Sequence, residues 1–323
     1  MQIPKKIRIG TRGSRLAQAQ TDLWIAAVKK KYPAIECEKV ILKTTGDRIL
    51  DRPLSEFGGK GVFITELEQA IQDGMIDYAV HSAKDMPMEL RGGLAIVSVL
   101  ERGDARDVLV TKRGFDMASA KSAVIGSGSS RRVAQFAKLY PNAAFCGLRG
   151  NVTTRLHKLR EGQYDGILLA AAGLSRLHLL QEEDLCYTFF DLWDMVPAGG
   201  QAIIAVEGRA QDDQHFLCEI TDEKTALELD TERNILRKLS AGCHEAVGVF
   251  AKITEFSESD ITRKMPKTGL FMPGCLMSKS TGGRKKKRSQ IEVMLMQEVF
   301  GEIIKKRKTA PLADREAAVF LNE

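Results

Sequence analysis

Six arginines in this chain stand where strand patterns give way to helix patterns. They are Arg12 in TRGS (11–14), Arg131 and Arg132 in GSGSSRR (126–132), Arg149 and Arg155 in LRGNVTTRL (148–156), and Arg176 in AAAGLSRL (170–177). A helix start presents unpaired N–H groups and the positive end of the helix dipole, so it attracts anions and disfavours cations. An arginine pair in a first turn therefore calls for a compensating anion. Guanidinium groups are planar forks that meet carboxylates or phosphates through two parallel hydrogen bonds. Each station alone also fits a solvated surface arginine, and TRGS fits a helix capped by Ser14. Taken together, the five from Arg131 to Arg176 point to a pocket for a small molecule bearing several carboxylates or phosphates.

Three further runs carry reactive side chains. HSAKD (81–85) follows the apolar strand IDYAV and puts Lys84 and Asp85 at that strand's carboxyl end. A carboxylate beside a lysine stays ionised at neutral pH and can relay a proton or hold a cation. The same five residues fit a surface ion pair worth about 0–1 kcal/mol. His81 reads as structural, since no second ligand sits at metal-binding spacing, and no metal site is expected. GGKGVF (58–63) places Lys60 in a glycine-rich loop that lacks the Ser or Thr of a P-loop. It fits a mobile lid, an anion contact or a simple turn. In AGCHEAVG (241–248), Cys243 lies just past a helix stop at Gly242; taken alone it reads as a small buried hydrophobe.

The elements that would position these residues alternate. IRIG (7–10) reads as a strand, followed by a helix with Leu16, Leu23, Trp24, Ala27 and Val28 at helical spacing. A helix over 62–73 ends at Gly74, and strands follow at 76–80, 94–100 and 108–111. The theme restarts with a strand at 123–126, a helix through Tyr140, a strand near 144–148, a helix from Asn151 and a strand at 166–171. This order predicts two similar α/β domains with largely parallel sheets, which bind ligands at the carboxyl ends of their strands. ERGDARD (101–107) and VPAGGQA (196–202) read as two crossings between them. The expected boundaries are 1–100 with 198–218 for the first domain, 104–196 for the second and 220–323 for the third. The third begins with a long helix to Leu239 and continues in short strands.

At 323 residues, 44% hydrophobic and 28% charged, the chain is an ordinary globular sequence long enough for two or three cores. The opening MQIPKKIRIG lacks a signal-peptide core, and no span is apolar enough for a membrane. Six scattered cysteines form no CxxC pair, so neither a zinc site nor a disulfide framework is expected, and a reducing cytoplasm fits best. The net charge of +6 is mild, and no aromatics interleave with the basic residues as a single-strand platform requires. Arg284–Arg288 (RKKKR), after two glycines, reads as a solvated hairpin before it reads as a nucleic-acid contact.

The runs TRGSRLAQAQ, KTTGDRILD, LSEFGGKGVFITELE, HSAKDMP, GSGSSRR, LRGNVTTRLHKLREGQYDGILLAAAGLSRL, PAGGQAIIAVE and AGC, in this order, resemble the hydroxymethylbilane synthase (porphobilinogen deaminase) family. The resemblance implies three α/β domains around a cleft. The first two would be doubly wound like two-domain, type II periplasmic-binding anion binders, and the third a small α+β domain. It implies a transferase that condenses porphobilinogen units head to tail with loss of ammonia, releasing a linear hydroxymethylbilane. A dipyrromethane cofactor would be held by a thioether at Cys243, with Asp85 as the catalytic acid. Arg12, Ser14, Lys60, Lys84, Ser129, Arg131, Arg132, Arg149, Arg155 and Arg176 would bind cofactor and substrate carboxylates. Phe63 would pack against pyrroles. The resemblance implies a cytoplasmic monomer acting on a small molecule, without nucleic acid, membrane or metal.

Several positions depart from the family pattern: Arg15 for proline, Glu56 for lysine, Gly128 and Ser130 for serine and leucine, Ala202 for glycine, and His244-Glu245-Ala246 after the cysteine. None removes a charge the chemistry needs. The rival readings are a non-catalytic two-domain anion receptor, which predicts an unmodified Cys243, and a nucleic-acid-binding protein.

Overall fold

The computed structural model describes residues 3–42, 64–118, 122–212, 214–239, 245–255, 290–299 and 302–311. Lys60, Phe63, Cys243 and the RKKKR run lie outside the described residues.

The first sheet has the order β2-β1-β3-β10-β4. Its strands are β1 (Lys6–Arg12), β2 (Glu36–Leu42), β3 (Tyr78–Ser82), β4 (Leu94–Val99) and β10 (Ile204–Arg209). The second has the order β7-β6-β8-β5-β9, from β5 (Asp107–Lys112), β6 (Ala123–Gly126), β7 (Ala143–Cys146), β8 (Gly166–Ala170) and β9 (Leu185–Phe189). Four strands of each sheet run one way. The inserted strand, β10 in the first and β5 in the second, pairs antiparallel with both its neighbours. The sheets are thus largely parallel, as expected, each with one reversed strand that follows a crossing between domains.

The helices are α1 (Arg15–Lys31), α2 (Thr65–Gln72), α3 (Ser130–Leu139), α4 (Val152–Arg160), α5 (Ala171–Arg176), α6 (His215–Cys218) and α7 (Glu223–Lys238). Side-chain caps set several of their starts. Ser14 Oγ accepts from Ala17 N at 3.2 Å, Asn151 Oδ1 from Thr154 N at 2.8 Å and Asp222 Oδ1 from Thr225 N at 2.7 Å. Trp24 of α1 is fully buried with Ile7, Ile9 and Val206, forming one core. Val108, Leu156, Leu159 and Ile167 form the second. The third domain is an antiparallel sheet of β11 (Val247–Glu255), β12 (Gln290–Val299) and β13 (Glu302–Pro311), covered by α7 through Leu227 and Ile235. Its strands run to nine and ten residues, longer than the short strands expected. Among the described residues, no helix is long and apolar enough to cross a membrane, and no group of His, Cys, Asp and Glu could hold a metal. Cys37, Cys146 and Cys186 are free, whereas Cys218 is disulfide-bonded. That bond corrects the expectation of none; scattered spacing does not reveal pairing.

Both crossings are bolted to the third domain by one carboxylate. Glu232, fully buried on α7, accepts from Arg102 Nη1 at 2.6 Å, from Gly200 N at 2.6 Å and from Ala251 N at 2.7 Å. Arg102 also lies over the Phe250 ring at 4.5 Å. Gly200 has φ +76°, and a Cβ there would come within 2.9 Å of the Ala83 carbonyl carbon and Lys84 nitrogen. Glycine is therefore what lets the second crossing touch the HSAKD turn.

Ala202 has φ +69°, a left-handed conformation that costs an L-residue about 1–2 kcal/mol. Its departure from the family's glycine thus carries strain. Ala202→Gly is expected to raise unfolding stability by about 0.5–1 kcal/mol after the added freedom of the unfolded glycine is subtracted. Urea midpoints compare the two proteins, and a lower midpoint for Ala202→Gly would contradict the strain.

Candidate functional site

The parallel strands of both sheets deliver their following loops to one edge each. In the first sheet, β1 ends at Arg12 and runs parallel to β3, whose end leads into the 3-10 turn Ala83–Asp85. Ala83 N donates to Ile203 O at 3.0 Å, tying this turn to the second crossing. Lys84 is half-buried and Asp85 exposed. In the second sheet, β6, β7 and β8 lie side by side in parallel and lead into GSGSSRR, LRGN and α5.

In GSGSSRR, Ser129 caps α3, its Oγ accepting from Arg132 N at 3.4 Å. A Cβ on Gly128 would sit 2.9 Å from the Leu148 carbonyl oxygen, so glycine is what this close approach of two loops requires. Arg131 and Arg132 turn inward and are 4% and 6% exposed. The anion that compensates them is internal, Asp107 at the start of β5. Arg131 Nη1 donates to Asp107 Oδ2 at 2.7 Å and to the Val196 carbonyl at 2.6 Å. Arg132 Nε donates to Asp107 Oδ1 at 2.9 Å, and its Nη1 to the Leu168 carbonyl at 3.2 Å. Gln201 Nε2 completes the carboxylate at 3.0 Å and also donates to Ala105 O at 2.6 Å. The first-turn arginines were expected to need a compensating anion, and the fold supplies one of its own.

Cations closer to the surface come from the neighbouring loops. Asn151 caps α4, and Gly150 (φ +110°) bends the chain so that Arg155 Nε donates to its carbonyl at 2.8 Å. Burial pushes Arg155 down to about 10, the like charges of Arg132 and Arg149 add to this, and Asp85 opposes them. Burial likewise pushes Lys84 down to about 8, against the attraction of Asp85 and Asp107, with Arg132 and Arg131 adding to the depression. Residues from both sheets therefore share one electrostatic environment: Lys84 and Asp85 from the first, Arg131, Arg132, Arg149 and Arg155 from the second. Such an environment can bind a polyanion and leave the exposed Asp85 carboxylate beside it.

Arg176 stands apart. Its Nη2 donates to Ala202 O at 2.5 Å, burial alone pushes it down to about 10, and it lines a cavity of about 400 Å³ with Leu23, Leu100, Glu101 and Ile204. Ser14 and Ser129 serve as caps, and Arg12 sits at the carboxyl edge of the first sheet.

The residues that sequence reasoning missed are Asp107, Gln201, Arg102 and Glu232. The signal for Asp107 was present in the need of Arg131 and Arg132 for an anion, but the polar run ERGDARD read only as a crossing between domains.

Burial would raise the Asp107 carboxyl, yet Arg131 and Arg132 outweigh it and hold the group well below the ordinary value of 3.8. A depressed acid stabilises the fold above its unfolded value and loses that contribution as pH falls beneath it. Asp107→Asn is expected to cost roughly 3–5 kcal/mol at pH 7, because two buried cations lose their counter-ion. The gap from wild type should narrow below pH 3.8. Urea unfolding at both pH values measures it; an equal gap at each would contradict the assignment.

Residues 7–216 match the profile described as porphobilinogen deaminase, dipyromethane cofactor binding domain. The chain is 38% identical to the porphobilinogen deaminase of Ruminiclostridium cellulolyticum, over 87% of this chain and 90% of that one. It is 44% identical to that of Exiguobacterium sibiricum, over 78% and 82%. Among solved structures it is similar to the VFT2 domain of Bordetella pertussis BvgS, with TM-score 0.41 and 13% identity over 72% of this chain and 93% of that one. The periplasmic aliphatic sulphonate binding protein SsuA of Escherichia coli matches with TM-score 0.40 and 14% identity over 74% and 71%.

Proposed function

Because this chain belongs to the porphobilinogen deaminase family, we propose a division of labour among its residues for that family's reaction. The chain is a hydroxymethylbilane synthase: it joins four porphobilinogen molecules head to tail with loss of ammonia and releases a linear hydroxymethylbilane by hydrolysis. Its cofactor is dipyrromethane.

The described residues fit a group rich in carboxylates. Lys84 and Arg155 are cations that burial has pushed down to about 8 and about 10, and an adjacent anion offsets that cost. Lys84, Arg149 and Arg155 would hold the cofactor's and substrate's acid groups, with Arg12 at the sheet edge and Arg176 beside its cavity as further contacts. Lys60, Ser14, Ser129 and Phe63 remain candidates from the family resemblance, as does thioether attachment at Cys243. When bound, dipyrromethane supplies the primer on which the product is built.

Asp85 carries the chemistry in this reading. Positive charge builds on a substrate unit as its ammonia departs, and an exposed carboxylate at the end of β3 stabilises it. The same oxygen takes the proton released when the new pyrrole regains aromaticity. The observation that supports this reading most is Asp85's place among cations of both sheets: it opposes the shifts of Lys84 and Arg155 alike. The expected domain limits, 1–100 with 198–218, 104–196 and 220–323, belong to the proposal. So does a cytoplasmic monomer with a small-molecule substrate and no nucleic-acid or membrane partner.

Two measurements test it. Intact-mass analysis is expected to show a two-pyrrole adduct on wild type that is absent from Cys243→Ala; masses equal apart from the substitution would refute attachment there. Asp85→Asn is expected to keep the adduct and lose about 100-fold or more in turnover, whereas near-normal turnover would remove Asp85 from the mechanism.

A further inference from the structure

We infer that Asp107 is a positioning residue of this site: by holding Arg131 and Arg132 on its two oxygens, it fixes the charge that stands behind Lys84 and Asp85. The inference rests on the reading that Lys84 meets the substrate as a cation. The geometry is specific. Asp107 is fully buried, its Oδ2 takes Arg131 at 2.7 Å, and its Oδ1 takes Arg132 at 2.9 Å and Gln201 at 3.0 Å. The two guanidiniums are further fixed by the carbonyls of Val196 and Leu168 at 2.6 and 3.2 Å. These bonds fix where the two positive charges lie, close enough for both to act on Lys84.

The charges facing Lys84 are Asp85 on its own turn and Arg131, Arg132 and Asp107 from α3 and β5. The buried trio carries one net positive charge, since two cations share one carboxylate. That surplus strengthens the attraction for polyanions while leaving Lys84 protonated at neutral pH. A second unit of positive charge would deprotonate Lys84 earlier, and full neutralisation would hold its proton to higher pH. Gln201 offers a way to make the second change, because its side chain already touches Asp107 and lies 3.4 Å from Arg132 Nη2.

The test uses full-length protein whose adduct has been verified by mass. The alkaline limb of kcat/KM reports groups of the free enzyme. In Asp107→Asn this limb is expected to move down by roughly half a pH unit or more, and in Gln201→Glu to move up by a similar amount. A purely structural role would leave both limbs where they are, whatever the loss of stability, and Leu159→Ala in the second core serves as that control. Lys84→Arg should abolish the limb. If the limb survives in Lys84→Arg, the reading of Lys84 fails. If it disappears there yet stays fixed in both Asp107→Asn and Gln201→Glu, or moves the same way in both, the inference about Asp107 fails alone. Should Asp107→Asn not fold, the upward shift in Gln201→Glu carries the decision, and its absence would overturn the proposal.

Discussion

A single desolvated carboxylate, Asp107, makes the rest of the arrangement feasible. Two arginines in the first turn of α3 face the unfavourable end of a helix dipole and are buried besides. Without a counter-ion they would be expelled toward water, and the loop from β6 would open. With it, they stay buried and close enough to the HSAKD turn for Lys84 to feel their charge. The ion cluster is satisfied from both sides, by Gln201 and by backbone carbonyls, which is the condition under which buried charge is tolerated. It is also an electrostatic fixture of the site, since the nearer cations Lys84 and Arg155 both sense Arg132.

The same logic recurs at the crossings. Glu232 gathers Arg102, Gly200 and Ala251, so both inter-domain segments and the first strand of the third domain meet at one side chain. Gly200 presses against the Ala83–Lys84 backbone, and Ala83 N is bonded to Ile203 O. The HSAKD turn is thus held by the crossing, not by its own sheet alone. Relative movement of the two larger domains must pass through residues that touch this turn.

Much of this was legible in residue order. The caps Ser14 and Asn151, the stop at Gly74 and the restart at the strand 123–126 follow from local chemistry, and the structure has them. The arginine stations were visible because cations at helix starts are unusual. What escaped were β2 and β9, edge strands whose short runs ECEKVIL and LCYTF lack a buried stretch. The reversed β5 and β10 escaped as well, because strand direction is set by where the chain crosses, not by the strand's residues. Asp107 and Gln201 in the crossings, and Glu232 on α7, were hidden for a related reason: a polar residue in a polar run looks solvated until packing shows what it holds.

The interleaved sheets also bear on how the chain is made. β10 is central to the first sheet, between β3 and β4, yet it is encoded after every strand of the second. During vectorial synthesis β3 and β4 therefore wait with unpaired edges while the whole second domain emerges and folds. The nascent chain must keep those apolar edges from pairing with other molecules for that interval. The vulnerable step in producing this enzyme is the late insertion of one strand, not the formation of any local element.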